Sequence, residues 1–309
     1  MPELRYLARD EVAGLLPSIV DQVDLVEQTY RSMAAGKAEL PPKPGVHPRE
    51  NSFIHAMPAY LADSDVAAVK WVGGFPANKE RGIPYISGVI VVNDGETGFP
   101  IGIMDAAEIT AARTAAASGV CVRRWAHEGW ARAAILGCGE QGRYHAAMLR
   151  ALNPEATIVG YDVVPERMAA LGSGSEQAGS HIEAVAGADV VVSAAPIVEN
   201  ADAPLGAGAL GERWLGLPLD FDAYFSRELV ASADVFLTDD VGQFEAYRGH
   251  GYFKEWPKPN RSVGQALTDD GSGEMVLCCN LGVGALDAAF GKAVLEQAHT
   301  DGIGTLLQR

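Results

Sequence analysis

Trp130-Ala-Arg-Ala-Ala-Ile-Leu-Gly137-Cys138-Gly139-Glu140-Gln141-Gly142-Arg-Tyr-His-Ala-Ala-Met-Leu149 is the stretch that decides the fold. It reads as a short apolar strand, a Gly-x-Gly-x-x-Gly turn and a helix. A second strand over 156–161 ends at Asp162, 23 residues past Gly139. Strand, turn, helix and a following acid together make the dinucleotide-binding fingerprint. Gly137 permits the tight turn, Gly139 lets the backbone approach a pyrophosphate, and Gly142 lets the helix pack close to the strand. The helix N-terminus offers unpaired N–H groups and its positive dipole end to phosphates. A carboxylate at Asp162 accepts both ribose hydroxyls of an adenosine and repels a 2′-phosphate, so NAD is favoured over NADP. With 35 glycines in the chain, the glycine pattern alone is weak, and its flanks give it weight.

Downstream, 189–195 reads as another strand, and 214–219 and 235–237 as two more. This alternation implies a doubly wound parallel sheet with a ligand cleft outside the C-terminal ends of its strands. Past about residue 270 the pattern turns helical, with 282–298 rich in small apolar residues. Upstream, Ile19, Val23, Val26, Tyr30 and Met33 stand at helical spacing behind Ser18 as N-cap. Prolines exclude a helix over 41–49. Strand candidates follow at 52–57, 66–72 and 86–93, the last ending in an Asp94-Gly95 hairpin signal with 99–104 as its return strand. Asp105 caps a long Ala-rich helix to about Trp125, with Glu108 spaced for a capping box. The expected fold is α/β, with a Rossmann-type doubly wound domain over 127–275. A second α/β domain over 1–126 is rejoined by the C-terminal segment 276–309.

The 309 residues suit two domains, and 48% hydrophobic with 21% charged residues is ordinary for a globular protein. A net charge of −16 argues against nucleic acid as a partner, since phosphates need clustered Lys and Arg. Cys121, Cys138, Cys278 and Cys279 form no Cys-x-x-Cys pair and no zinc spacing, so buried free thiols in a reducing compartment are expected and no metal. The N-terminus has no apolar signal core and no run reaches membrane-spanning length, so the expected location is the cytoplasm.

Four places carry candidate chemistry. Lys70 ends an apolar strand before Gly73-Gly74, where it either projects into a cleft or stands as a solvated strand-end lysine. Arg113 is the lone cation in a small, apolar stretch of helix. Burying it demands an anion, which a ligand carboxylate, a pyrophosphate or a structural salt bridge would supply. Asp220 and Asp222 follow a strand, where one could shuttle a proton and at least one is expected to cap the next helix. Lys43, His47, Arg49 and His55 lie on or beside the proline-fixed segment, where cations suit capture of a substrate carboxylate. His55 could instead be a packed histidine.

Together these residues resemble the ornithine cyclodeaminase/mu-crystallin family. The resemblance spans Phe53-Ile-His-Ala-Met-Pro-Ala-Tyr60, Val69-Lys-Trp-Val-Gly-Gly-Phe-Pro76, Asn93-Asp-Gly-Glu-Thr-Gly98, Thr110-Ala-Ala-Arg-Thr-Ala-Ala116 and Gly137-Cys-Gly-Glu-Gln141. It implies a substrate-binding and dimerisation domain completed by the C-terminal helix, a Rossmann domain, a homodimer, and hydride transfer at Cα of a small α-amino or imino acid with NAD. Lys70 then falls on a catalytic lysine beside the substrate and Asp222 on a catalytic aspartate. Arg113 falls on a phosphate-contacting arginine, Glu140 and Gln141 in the phosphate turn, and Asp162 on the ribose acid. Lys43 stands where cyclodeaminases have a carboxylate-binding arginine, and it cannot form a bidentate fork. Tyr224-Phe225-Ser226 replaces the Pro-Gly-Lys that often follows the aspartate. The family therefore leaves open cyclodeamination, ketimine reduction, an alanine dehydrogenase-like or opine-type dehydrogenation, and a mu-crystallin-like NAD(P)H-binding protein with little turnover.

Overall fold

The computed structural model describes residues 3–197, 202–269 and 272–308. The chain divides into two compact units, Met1–Arg113 with Gly282–Arg309, and Thr114–Leu281.

The first unit contains β1 (Leu4–Leu7), α1 (Arg9–Leu15), α2 (Ile19–Ala34), β2 (Ala38–Glu39), β3 (Gly45–Val46), β4 (Phe53–Leu61), β5 (Val66–Gly74), β6 (Ile86–Asp94), β7 (Pro100–Asp105) and the start of α3 (Ala107–Trp125). Their sheet runs β16-β1-β7-β6-β5-β4-β2, with β3 also on β4, where β16 is Thr305–Leu307. The strands β4 to β7 pair antiparallel, as the Asp94-Gly95 turn implied. The strand expected to stop at Met57 continues through Pro58 to Leu61. Its free side explains this: β3 pairs with Ile54 and His55, β2 with Tyr60 and Leu61, so Pro58 falls between them, where no partner needs an N–H. Asp105 Oδ1 accepts from Ala107 N at the start of α3 as expected, and Glu108 pairs with Arg9.

One face of this sheet is covered by α9 (Gly284–Asp301), which packs across β4, β5 and β6. Apolar almost all round, α9 is buried from Gly284 through Gly291. At Gly284 a Cβ would stand 2.7 Å from Met57 O, so helix and strand approach as backbones. Side chains alternate between sheet faces, so the cross-strand row Met57, Lys70, Ile90 and Met104 lies inward with the core. The row Pro58, Val69, Val91, Ile103 and Tyr6 lies outward, beside Ala56, Trp71 and Val89. On that outer face Trp71 is 49% and Tyr6 39% exposed.

The second unit holds β8 (Arg132–Leu136), α4 (Glu140–Leu152), β9 (Thr157–Tyr161), β10 (Glu176–Gln177), α5 (His181–Val185), β11 (Val190–Ser193), β12 (Trp214–Pro218), α6 (Arg227–Ala231), β13 (Val235–Thr238), α7 (Val241–Gly249), β14 (Arg261–Ser262), α8 (Val263–Ala266) and β15 (Met275–Cys279). The sheet is wholly parallel, in the order β10-β9-β8-β11-β12-β15-β13-β14. Here β15 corrects the reading of everything past residue 270 as helical: it is a buried strand between β12 and β13. The chain thus re-enters the first unit at Gly282. Phe221, Phe225, Phe236, Phe244, Phe253 and Trp256 belong to one core cluster. All four cysteines are free and buried.

Candidate active site

In the first unit the site is built around one carboxylate. Lys70 Nζ donates to Asp287 Oδ1 at 2.8 Å and to Thr110 Oγ1 at 3.3 Å. Arg113 Nε donates to the same Asp287 oxygen at 3.3 Å. Lys70 and Asp287 are each 1% exposed and Arg113 7%. The lysine is therefore no solvated strand-end residue. It stands on the inner face of β5, and Asp287 reaches it from the first turn of α9. Burial pushes the Lys70 amine down to about 7, helped by the charges of Arg113 and Lys43, while Asp287 pulls it back up. The anion that burial of Arg113 demanded is this side chain. Gly282 makes room for the guanidinium, since a Cβ there would lie 2.4 Å from Arg113 Nη1.

Lys43 is half-buried and close enough to act on Lys70 electrostatically. The other residues of that segment are not drawn in. His55 stacks on Phe53 at 4.5 Å between ring centroids, the packed histidine of the two alternatives. His47 is exposed, and Arg49 Nη1 donates to Pro48 O.

In the second unit the glycine turn has the geometry its sequence required. Gly137 has φ +96°, and a Cβ on it would sit 2.6 Å from Ala194 O. A Cβ at Gly142 would sit 2.3 Å from Gly137 O, whereas one at Gly139 would meet nothing within 4 Å. Gly139 is the N-cap of α4 and has no side chain with which to cap it. Glu140 is exposed, and Gln141 Oε1 is buried without a partner. Asp162 closes the turn from β9: Oδ2 accepts from Cys138 N and Oδ1 from Val164 N, each at 2.8 Å. A carboxylate oxygen has two lone pairs, so one on each remains. Arg167 Nη1 lies 3.8 Å from Oδ1. Burial, then the Asp162 charge, pushes the Cys138 thiol up to about 12, so it stays protonated.

The two acids after β12 part company. Asp220 is fully buried, with Oδ1 on Ser193 Oγ at 2.5 Å and Oδ2 on Ala195 N at 3.0 Å. Burial, with Asp222 adding to it, raises its carboxyl to about 7. Asp222 is half-buried and takes Phe253 N on Oδ2 at 2.9 Å, leaving Oδ1 unengaged among the described residues. Neither caps α6, contrary to expectation: Ser226 Oγ accepts from Leu229 N and does so. Between the acids Phe221 has φ +61°, a strained conformation for a bulky residue, packed against Tyr247, Tyr252 and Phe253.

Asp287 went unread in the sequence although a signal existed. It is the lone charged residue from Val276 to Gly291, the acidic counterpart of the isolation that singled out Arg113. No group of His, Cys, Asp and Glu among the described residues could hold a metal ion, and none of their helices is long and apolar enough to cross a membrane.

A wholly parallel sheet carrying a Gly-x-Gly-x-x-Gly turn, joined in one chain to a mostly antiparallel unit with a buried lysine, defines a two-unit protein with a Rossmann-type unit. The chain belongs to the ornithine cyclodeaminase/mu-crystallin family, whose model matches residues 5–215. It is 32% identical to the nodulation efficiency protein NfeD of Rhizobium meliloti, over 98% of both chains. Among solved structures it resembles an archaeal alanine dehydrogenase dimer with bound NAD, at TM-score 0.84 and 25% identity over 99% of each chain. It also resembles the Thermococcus litoralis Δ1-pyrroline-2-carboxylate reductase in complex with NADH and L-proline, at TM-score 0.82 and 25% identity, covering 98% of this chain and 100% of that one.

Proposed function

We propose that the protein is an NAD-dependent oxidoreductase or cyclodeaminase acting on a small α-amino or imino acid. The observation that carries the reading is Lys70, a fully buried amine beside a second buried cation and one shared carboxylate. Two cations against one anion leave the cluster net positive, which suits an anionic substrate. Lys43 holds the substrate α-carboxylate, and Lys70 stands against the substrate beside the reacting Cα as a catalytic residue. Arg113 serves the cofactor phosphates. Gly137, Gly139, Glu140 and Gln141 form the phosphate turn, and Asp162 takes the ribose hydroxyls. The open space at Gly139, which brings no side chain to the start of α4, and the unpartnered Gln141 oxygen fit a dinucleotide there. NAD, when bound, accepts or donates the hydride exchanged with Cα. Asp222 carries the amine proton: Phe253 N pins one oxygen and the other stays available, whereas both oxygens of Asp220 are engaged. The outward apolar row of the first sheet supports a homodimer formed through that unit, and the buried free cysteines support a cytoplasmic location.

The test is a screen of small α-amino acids with NAD and of imino acids with NADH, following NADH absorbance together with ammonia. Net NADH marks a dehydrogenase, NADH consumption an imine reductase, and ammonia without net NADH a cyclodeaminase. Tight NADH binding with none of these overturns the proposal in favour of a mu-crystallin-like binding protein.

A further inference from the structure

We infer that Asp287 is the positioning residue for Lys70, fixing the direction in which that lysine faces its substrate. The inference rests on the reading of Lys70 as a substrate-facing residue.

An ammonium has three N–H donors. Two on Lys70 are committed, to Asp287 Oδ1 and to Thr110 Oγ1. The third direction is thereby fixed without any contact to define it. When the amine loses a proton it keeps two N–H groups and gains a lone pair. The same two acceptors hold the N–H groups, so the lone pair takes the third direction. The lysine then gives a proton and takes one along a single line. On a four-carbon stem with free rotation, nothing in the lysine itself supplies this.

Asp287 is suited to be the fixed point. Its Oδ1 also receives Arg113 Nε, so α3 and α9 both brace it. It lies in the first turn of α9, where the helix dipole favours a carboxylate. The charges acting on Lys70 are Arg113 from α3, Lys43 from the 41–49 segment and Asp287 from α9, and Asp287 is the anion among them. Remove that charge and two cations bear on a desolvated amine. Asp287 therefore both aims the amine and keeps its ionisation near neutrality, where proton transfer in either direction is efficient.

The substitution Asp287→Asn isolates the charge. Its Oδ1 still accepts from Lys70 and Arg113, and its amide nitrogen takes the place of an oxygen without a partner. Asp287→Glu keeps the charge and displaces the carboxylate by one methylene. The chain has seven lysines, so lysine labelled with carbon-13 at Cε gives seven signals, with that of Lys70 assigned by its loss in Lys70→Arg. The readout is the pH midpoint of that signal in the whole, substrate-free protein. In Asp287→Asn the midpoint falls by about one to three pH units, as expected when an opposite charge at contact distance is removed. The acid limb of the kcat/KM profile moves the same way. In Asp287→Glu the midpoint stays near that of the parent protein while kcat falls at least about tenfold. An unchanged midpoint in the Asn variant overturns the inference. So does parental kcat in the Glu variant, which remains available should the Asn variant fail to fold. Because the titration uses no substrate, failure of the two proposals is distinguishable. A shifted midpoint with no turnover of any amino or imino acid sinks the proposed function, whereas turnover with an unshifted midpoint sinks the role of Asp287.

Discussion

Replacing Asp162 with alanine separates two tasks of one side chain. The carboxylate holds Cys138 N and Val164 N, and it is the group proposed to take the ribose. Cys138 is 1% exposed, so its amide finds no water once the acceptor is gone. A buried donor stranded from a charged acceptor costs about 1.5–3 kcal/mol, whereas Val164 is exposed enough for water to replace most of its bond. The fold should lose about 2–3 kcal/mol, which for a unit of this size lowers Tm by roughly 5–10 °C. Two ribose hydrogen bonds to a charged acceptor, at about 1.5 kcal/mol each, weaken NADH binding on the order of 100-fold. NADPH should gain relative to NADH, because the repelling charge is gone and Arg167 stands beside the vacated position. Fluorescence titration with both nucleotides reads the affinities, and a thermal melt reads the turn. An NADH Kd unchanged in Asp162→Ala refutes the ribose assignment. A Tm unchanged refutes the view that Asp162 staples the phosphate turn.

Further outcomes follow from the buried charges and the tight turn. Lys70→Met should abolish turnover yet raise Tm, because it leaves Arg113 and Asp287 as a neutral pair. The gain should be larger at about pH 6 than at about pH 9, since the lowered amine costs its full stability below about 7 and sheds that cost as pH rises from there towards the ordinary lysine value; equal gains at both would contradict the burial argument. Asp220 is shifted upward, to about 7, so its ionisation subtracts stability as pH rises from about 4 to about 7. Melts of Asp220→Asn across that range should lose this slope while Ser193 and Ala195 stay bonded. Gly142→Ala drives a Cβ to 2.3 Å from Gly137 O and should cost about 1–3 kcal/mol in chemical denaturation together with weaker NADH binding; a silent substitution would mean α4 can move off the strand. Trp71→Glu, on the outward face proposed to carry the homodimer, should turn a parent dimer into a monomer by size-exclusion chromatography with light scattering, and a dimer surviving in the variant refutes that interface.

The second unit was largely readable in the sequence because its signals are local. Turn glycines, a strand on each side and an acid at fixed distance are all specified within residues 130–162. The antiparallel part of the first unit was readable for the same reason, through Asp94-Gly95. What escaped reading depends on distant partners. Met275–Cys279 is a five-residue apolar run, and periodicity cannot separate a buried strand of that length from helix. The strand candidate over 52–57 stops short of Pro58, because the gap between β2 and β3 that admits a proline is visible only in pairing. Lys70 stayed undecided between cleft and solvent because the residue that settles it is 217 positions away. The helix cap was assigned to Asp220 or Asp222 on proximity to α6, and Ser226 was closer.

That separation of 217 positions also governs how the molecule is made. The helix bearing Asp287 emerges from the ribosome after every strand it covers. At about 5–20 residues per second, Lys70 waits about 10–40 s for its counterion. Throughout that time the inner face of the first sheet lacks its lid and holds an uncompensated cation. The contiguous Thr114–Leu281 stretch, by contrast, is complete before α9 appears and needs nothing from it in sequence. A nascent chain halted just after Leu281 should therefore present a folded second unit beside an unfinished first one. The same charge that disfavours premature burial of Lys70 would help keep the unfinished sheet from closing on the wrong partner.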